Sequence, residues 1–259
     1  MIRGGLVSVS FRKLSAREII DLVVRAGLEG IEWGGDVHVP HGDASTAREV
    51  AAMTRDAGLT VAAYGSYYRA GEPPTGDNPD FAAVLNSAAR LGAPTIRVWS
   101  GRRPSQAADH AYRGLVLADL RRIGALAAAH QIVVTCEHHG HTLTDSPASA
   151  RDLYAALKGQ NVEAYWQPSP ERSVGENAAG LMELLPRLVN LHLFHWISAN
   201  GRSERCPLAA GRADWERYLR LAKSTGRPHW ALLEFFKDDR AEQFSDDATT
   251  LRSWLAGLV

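Results

Sequence analysis

The chain has 259 residues, with 29 Lys+Arg balanced by 29 Asp+Glu, so its formal net charge is zero. That balance argues against a nucleic-acid partner or an anionic membrane surface, both of which draw on surplus positive charge. The two cysteines, Cys136 and Cys206, form no CxxC pair, and a chain this long buries a core without disulfides or a structural metal.

No basic-then-apolar leader opens the sequence, and no apolar run approaches the ~20 residues that span a bilayer. A cytoplasmic protein without membrane association is therefore expected. From Leu6 onward, short runs rich in Val, Ile and Leu alternate with longer stretches of helical spacing. Leu6 to Val9 reads as a strand, followed by a helix from Ala16 to Ala26 that stops at Gly27. Gly30 to Trp33 and Leu59 to Ala63 are the next strands, with a helix from about Ser45 to Ala57 between them and Gly58 as its stop. A helix from about Asp80 to Leu91, closed by Gly92, leads to a fourth strand, Thr95 to Trp99. An Ala- and Leu-rich helix from about Gln106 to His130 follows. Later strands are expected at Ile132–Cys136, Val162–Trp166, Val189–Phe194 and Trp230–Leu233. Their helices are expected near 148–157, 177–185, 215–223 and from 246 to the end.

Eight strands in alternation with helices describe an α/β protein, a single (β/α)8 TIM barrel occupying 1–259 as one domain. An open doubly wound sheet often carries a glycine-rich phosphate loop after its first strand, and none is present. No tandem repeat, low-complexity tract or linker interrupts the chain.

In such barrels, the C-terminal ends of the strands and the loops after them carry the chemistry. Seven of the 10 histidines fall in these segments: His38, His41, His138, His139, His141, His192 and His195. Glu137 ends the fifth strand, His192 lies on the seventh and Glu234 follows the eighth. Histidine and carboxylate converging on one rim form a divalent-metal or acid/base arrangement. A lone carboxylate after a strand is as readily an ion-pair partner of a loop arginine. Two of them flanking His192 favour function, because buried charges need partners or a metal. His192 and His195 are three apart and face opposite sides of a continuous strand, so only one can point to the barrel axis there. Tyr64, Tyr67 and Tyr68 read more readily as packing than as recognition. Together with Trp33 and Trp99 they could instead form an apolar wall for a sugar ring.

At these residues the sequence resembles the xylose-isomerase-like TIM-barrel superfamily, in particular its sugar phosphate isomerase/epimerase group. The motifs are Gly30-Ile31-Glu32-Trp33, Glu137-His138-His139 with Leu143-Thr144-Asp145, Leu191-His192-Leu193, Pro207-Leu208-Ala209-Ala210-Gly211 with Trp215, and Leu232-Leu233-Glu234. Their order and spacing cover essentially the whole chain and are specific for fold and site rather than for a substrate. The resemblance implies one divalent metal held by Glu137, Gln167, His192 and Glu234. Gln167 stands where a carboxylate is usual, and Pro170 where many members have His. Ala209 replaces the first glycine of a Pro-Leu-Gly turn. A neutral amide leaves the ligand set at charge −2 rather than −3, which implies a weaker hold on the ion. Mn2+, Mg2+ or Co2+ suits such a set, with Zn2+ also compatible.

By the same resemblance, Glu137 and Glu234 form the acid/base pair around an enediolate. His139 and Arg205 orient hydroxyls or a phosphate, and Glu32 and His38 complete the rim. The expected activity is sugar or sugar phosphate isomerisation or epimerisation, on a small carbohydrate and compatible with a homo-oligomer. Two rivals remain open. A dehydratase or other lyase would expel the β-hydroxyl with His195 as acid. A metal-free barrel would only bind sugar. Arg97, Arg102, Arg103 and Arg205 are the candidates for receiving a phosphate.

Overall fold

In the computed structural model, which describes residues 1–199 and 202–258, the apolar runs pair edge to edge and close on themselves. The eight barrel strands are β1 (Ile2–Val7), β2 (Gly30–Gly34), β3 (Thr60–Arg69), β4 (Thr95–Trp99), β5 (Val133–Glu137), β6 (Val162–Trp166), β7 (Leu188–Leu193) and β10 (His229–Leu233). Two further strands, β8 (His195–Ala199) and β9 (Arg202–Cys206), form a separate antiparallel hairpin. All barrel neighbours run parallel, in the order β1-β10-β7-β6-β5-β4-β3-β2. The helices are α1 (Ala16–Arg25), α2 (Ala44–Asp56), α3 (Phe81–Leu91), α4 (His110–Ala128), α5 (Pro147–Ala156), α6 (Val174–Leu184), α7 (Arg212–Lys223) and α8 (Ala241–Gly257). This is a single (β/α)8 TIM barrel.

Local chemistry sets the helix ends. Ser15 and Ser173 open α1 and α6 with capping boxes, their hydroxyls accepting from the N–H of Glu18 and Glu176 while those carboxylates bond back. The expected stop at Gly92 is a left-handed cap with φ 73°, a conformation that costs glycine nothing. Several late helices begin three to five residues before their first expected position, α6 at Val174 and α8 at Ala241 among them. Their opening turns are largely polar and exposed, so apolar spacing does not report them. The last helix was expected to reach Val259, which lies outside the described residues.

β1 also begins early, at Ile2, because two glycines that weaken strand propensity are needed there for close packing. A Cβ on Gly5 would lie 2.5 Å from Leu232 Cδ2 and 2.6 Å from the Gly30 carbonyl oxygen. β3 runs six residues beyond its expected end and is irregular there. Gly65 pairs with Arg97 and Arg69 with Trp99, so three β3 residues stand opposite Val98 alone. A large apolar core joins barrel and helices through Leu6, Ile31, Trp33, Ile96, Leu191 and Phe244. A second, smaller cluster includes Val7, Ala63, Tyr165, Trp230 and Leu232. Among the described residues, no helix is long and apolar enough to cross a membrane.

Candidate active site

The strand registers bring the three expected residues to one point. Glu137 pairs with Tyr165 at the end of β5, and His192 on β7 pairs with Leu232 of β10. The Glu234 N–H then donates to the Leu193 carbonyl at 2.9 Å, which holds the residue after β10 against β7. One ligand atom from each of Glu137, His192 and Glu234 lies within 4.8 Å of the other two, and all three residues are buried. His192 Nδ1 faces Glu137 Oε1 at 3.0 Å and Glu234 Oε2 at 3.3 Å.

The other imidazole nitrogen, Nε2, faces Glu32 Oε2 at 3.0 Å. A carboxylate there accepts the Nε2–H. In the metal-free protein Nδ1 carries a proton between the two glutamates; with an ion bound, it would instead be the lone-pair nitrogen toward them. That is how an imidazole is set as a metal ligand. The donor set of two carboxylates and one oriented imidazole therefore fits a divalent cation. Glu32 is not a rim residue, contrary to expectation. It is fully buried beneath His192, where it also accepts from Arg97 Nε at 2.9 Å and from the Tyr165 hydroxyl. The Tyr165 and His192 rings meet edge to face with centroids 4.7 Å apart.

Arg97, a candidate from sequence for receiving a phosphate or for pairing with a carboxylate, is the cation of this cluster. It is 2% exposed and bridges Glu32 to Glu137, reaching Glu137 Oε2 through Nη1 at 2.7 Å. The Trp99 indole N–H donates to the same oxygen at 2.6 Å. Gly65 makes room for the bridge, since a Cβ there would lie 2.8 Å from both Arg97 Nη2 and Glu32 Oε1.

These surroundings divide the two glutamates. Burial alone would raise the Glu137 carboxyl, but Arg97 and His192 outweigh it and hold it well below the usual carboxylate range. Glu234 has no such clamp. Burial pushes it up to about 7, with the charges of Glu137 and Glu32 adding and those of His192 and Arg97 opposing. For His192, burial opposes the charged form, yet Glu234, Glu32 and Glu137 together raise it to about 10.

Above this cluster opens a cavity of about 820 Å3, with Glu137, Glu234, Gln167 and His139 in its lining. Five aromatic side chains, Tyr67, Trp99, Phe194, Trp196 and Phe235, share that lining. Of the three β3 tyrosines, only Tyr67 reaches it. The Tyr64 hydroxyl donates to the Val39 carbonyl, and that of Tyr68 to Asp119. The Gln167 carbonyl oxygen lies 3.2 Å from His138 Nδ1, in range to accept from it.

The remaining expected residues stand apart from this cavity. His38 is buried between Ser8 Oγ and the Leu14 carbonyl, 3.0 and 3.1 Å from its two ring nitrogens. β7 ends at Leu193, so His195 escapes the strand alternation and begins the hairpin instead. There its ring packs where a Cβ on Gly211 would lie, and it lines a small pocket with Asp214 and Trp215 that adjoins the main cavity across Phe194 and Trp196. Arg205 lies on β9, paired with Asp239 and with its guanidinium 5.0 Å from the Phe235 ring centroid. Arg102 is likewise paired, with Asp77 at 2.6 Å, and Arg103 lies over Tyr112 at 4.3 Å. Of the four arginines considered for a phosphate, Arg97 alone lines the cavity, and it is committed to two carboxylates.

Comparison with known proteins agrees with this architecture. A family model described as a xylose isomerase-like TIM barrel matches residues 20–254. Among curated proteins, none matches the sequence. A probable 3-DHS dehydratase of Bacillus anthracis superposes with a TM-score of 0.79 at 20% identity, covering 97% of this chain and 99% of its own. A xylose isomerase-like TIM barrel protein of Mycobacterium smegmatis, solved in complex with magnesium, gives 0.75 at 16% identity, covering 99% and 97%. An L-ribulose 3-epimerase gives 0.72 at 16% identity, covering 100% and 96%. At these identities the likeness to each solved structure is one of fold.

Proposed function

The chain belongs to the xylose isomerase-like TIM barrel family, and on that premise we propose that it is a divalent-metal-dependent sugar or sugar phosphate isomerase/epimerase. Its reaction would move a proton next to a carbonyl through an enediolate. The observation that carries this reading is the convergence of Glu137 and Glu234 on one imidazole in opposite electrostatic surroundings. Two carboxyls whose environments push them apart are the mark of divided acid/base labour.

Glu137, His192 and Glu234 would hold the ion, with Gln167 from the same cavity wall as the fourth ligand. Mn2+, Mg2+ or Co2+ suits this set, and a family relative was solved with magnesium. When bound, the ion supplies Lewis-acid stabilisation of negative charge on the substrate oxygens. Glu234, raised to about 7 in the metal-free protein, would be lowered by a bound cation; its proposed part as proton carrier rests on its place in the cavity lining beside Glu137 and His192. Glu137, fixed by Arg97 and Trp99, stays ionised and serves first as ligand and second as the facing base. Arg97 and Glu32 would hold that geometry through their ion pairs, and the aromatic lining would narrow water access to the bound substrate.

Expulsion of water from a keto-sugar or polyol acid is the second reading, in keeping with the dehydratase among the fold relatives. Its expected acid, His195, lines a pocket that adjoins the cavity rather than the cavity itself, which makes this reading second. Incubation in D2O with Mn2+ or Mg2+ and D-fructose, D-psicose, L-ribulose or 3-dehydroshikimate separates the readings. An isomer carrying solvent deuterium supports the proposal, and loss of the mass of water selects the lyase. A protein that takes up no metal and leaves these compounds without deuterium would favour a metal-free, sugar-binding barrel. Glu234→Gln is expected to abolish turnover with the fold intact; retained activity would remove Glu234 from its role.

A further inference from the structure

Three segments that meet at the cavity mouth supply a polar chain that the scheme above does not use. Arg12, after β1, donates through Nε to Asp36 Oδ2 at 2.6 Å, through Nη1 to the Val9 carbonyl at 3.1 Å, and through Nη2 to the Tyr67 hydroxyl at 2.5 Å. A guanidinium only donates, so the Tyr67 oxygen accepts and its own proton must point elsewhere. Among the described residues, no group accepts that proton, and Arg12 and Tyr67 both line the cavity that holds Glu137 and Glu234.

The backbone is bent to put the ring there. Tyr67 sits at φ 57° within the β3 irregularity, a conformation a bulky side chain adopts only when its surroundings impose it. Ser66 secures the bend by donating to the Arg97 carbonyl at 2.7 Å and accepting from the Tyr68 N–H at 3.3 Å. The ring then lies edge to face with Trp99 at 5.4 Å, with the Arg97 guanidinium 5.6 Å from its centroid. Bulges beside active sites commonly re-aim a side chain in this way. Burial pushes the phenol up to about 12, so the proton is present at neutral pH.

We propose that Tyr67 donates this proton in a hydrogen bond to a substrate oxygen, with Arg12 and Asp36 as positioning residues that fix the hydroxyl; this role rests on the carbonyl-adjacent chemistry proposed above. Tyr67 thereby selects substrates that present an oxygen on the β3 side of the cavity while the other side meets Glu137 and Glu234.

The test uses Mn2+-loaded protein and glycolohydroxamate, whose two adjacent oxygens in a planar frame mimic an enediolate. Binding is read by calorimetry and by fluorescence of Trp99 and Trp196 in the cavity wall. Tyr67→Phe keeps the ring and is expected to weaken the analogue tenfold or more with Mn2+ affinity unchanged. The control Tyr68→Phe, whose hydroxyl serves Asp119 outside the cavity, should stay within twofold of wild type. Arg12→Gln should also weaken binding and Arg12→Lys restore part of it. The double variant Arg12→Gln/Tyr67→Phe should bind no worse than Tyr67→Phe alone. Tyr67→Phe binding within twofold of wild type overturns the donor role, and additive losses in the double variant overturn the positioning role of Arg12. Wild-type protein that holds Mn2+ but ignores the analogue defeats the enediolate reading itself, which is a different result.

Discussion

Glu137 and Glu234 approach the same nitrogen of His192, Nδ1, from different strands, and the two sides of the barrel mouth that carry them are built differently. On the β2–β4–β5 side, Glu32, Arg97, Glu137 and the Trp99 indole form a closed set of charge-assisted hydrogen bonds with almost no exposure. On the β10 side, Glu234 is also buried but, among the described residues, pairs with the shared His192 and with no cation of its own. Arg97 and the protonated His192 together balance Glu32 and Glu137, whereas Glu234 is balanced by a proton of its own. The first side is rigid and its charge fixed. The second can change charge near neutral pH in the metal-free protein.

The contrast breaks most visibly at Arg97. Replacing Arg97 by Met leaves two buried carboxylates without their cation and should cost about 3–5 kcal/mol in urea unfolding of the metal-free protein. A cost below about 1 kcal/mol would mean that the closed set does not hold the rim.

A comparable effect is expected from pH on metal-free protein. His192, raised to about 10, contributes stability that is complete below its ordinary value near 6.5 and is lost as pH climbs toward 10. Glu234, raised to about 7, loses its share as pH climbs from its ordinary range to that value, in the same direction. Between about pH 6 and 9 the EDTA-treated protein should therefore lose roughly 2–4 kcal/mol. Saturating Mn2+ should remove the decline, because the ion takes the place of the protons. A flat melting profile without metal would contradict the charge assignment.

Trp99→Phe keeps an aromatic ring but removes one donor to Glu137, at an expected cost of about 1.5–3 kcal/mol by thermal unfolding. The smallest change in stability belongs to Glu234→Gln. At pH 8 the metal-free variant should unfold no more easily than wild type, while its Mn2+ affinity falls at least a hundredfold. A large destabilisation would show that Glu234 is clamped after all.

The strand-helix alternation and the three residues on late strands were legible because each strand is a short apolar run and each candidate directly ends or follows one. For Arg97 the sequence left two roles open, phosphate binding and pairing with a carboxylate, and the second is the one found. A lone arginine inside Thr-Ile-Arg-Val-Trp shares its strand face with Trp99, which marks it as inward-facing and in need of an internal carboxylate. Nothing local distinguished Glu32 at the rim from Glu32 beneath His192, since that depends on the stagger of strands far apart in sequence. The hairpin of β8 and β9 escaped notice because both strands lie mainly over the cavity mouth and lack a buried apolar face. The left-handed turn at Tyr67 has no sequence signal, because a tyrosine there runs against local preference.

Gly65 turns the closed side into a statement about inheritance. Since a methyl group at position 65 would occupy the space of the Arg97 guanidinium and the Glu32 carboxylate, the three positions cannot drift independently. Across an alignment of this family, glycine at 65 should travel with arginine at 97 and glutamate at 32. Lineages that acquire a side chain at 65 should show compensating changes at the other two.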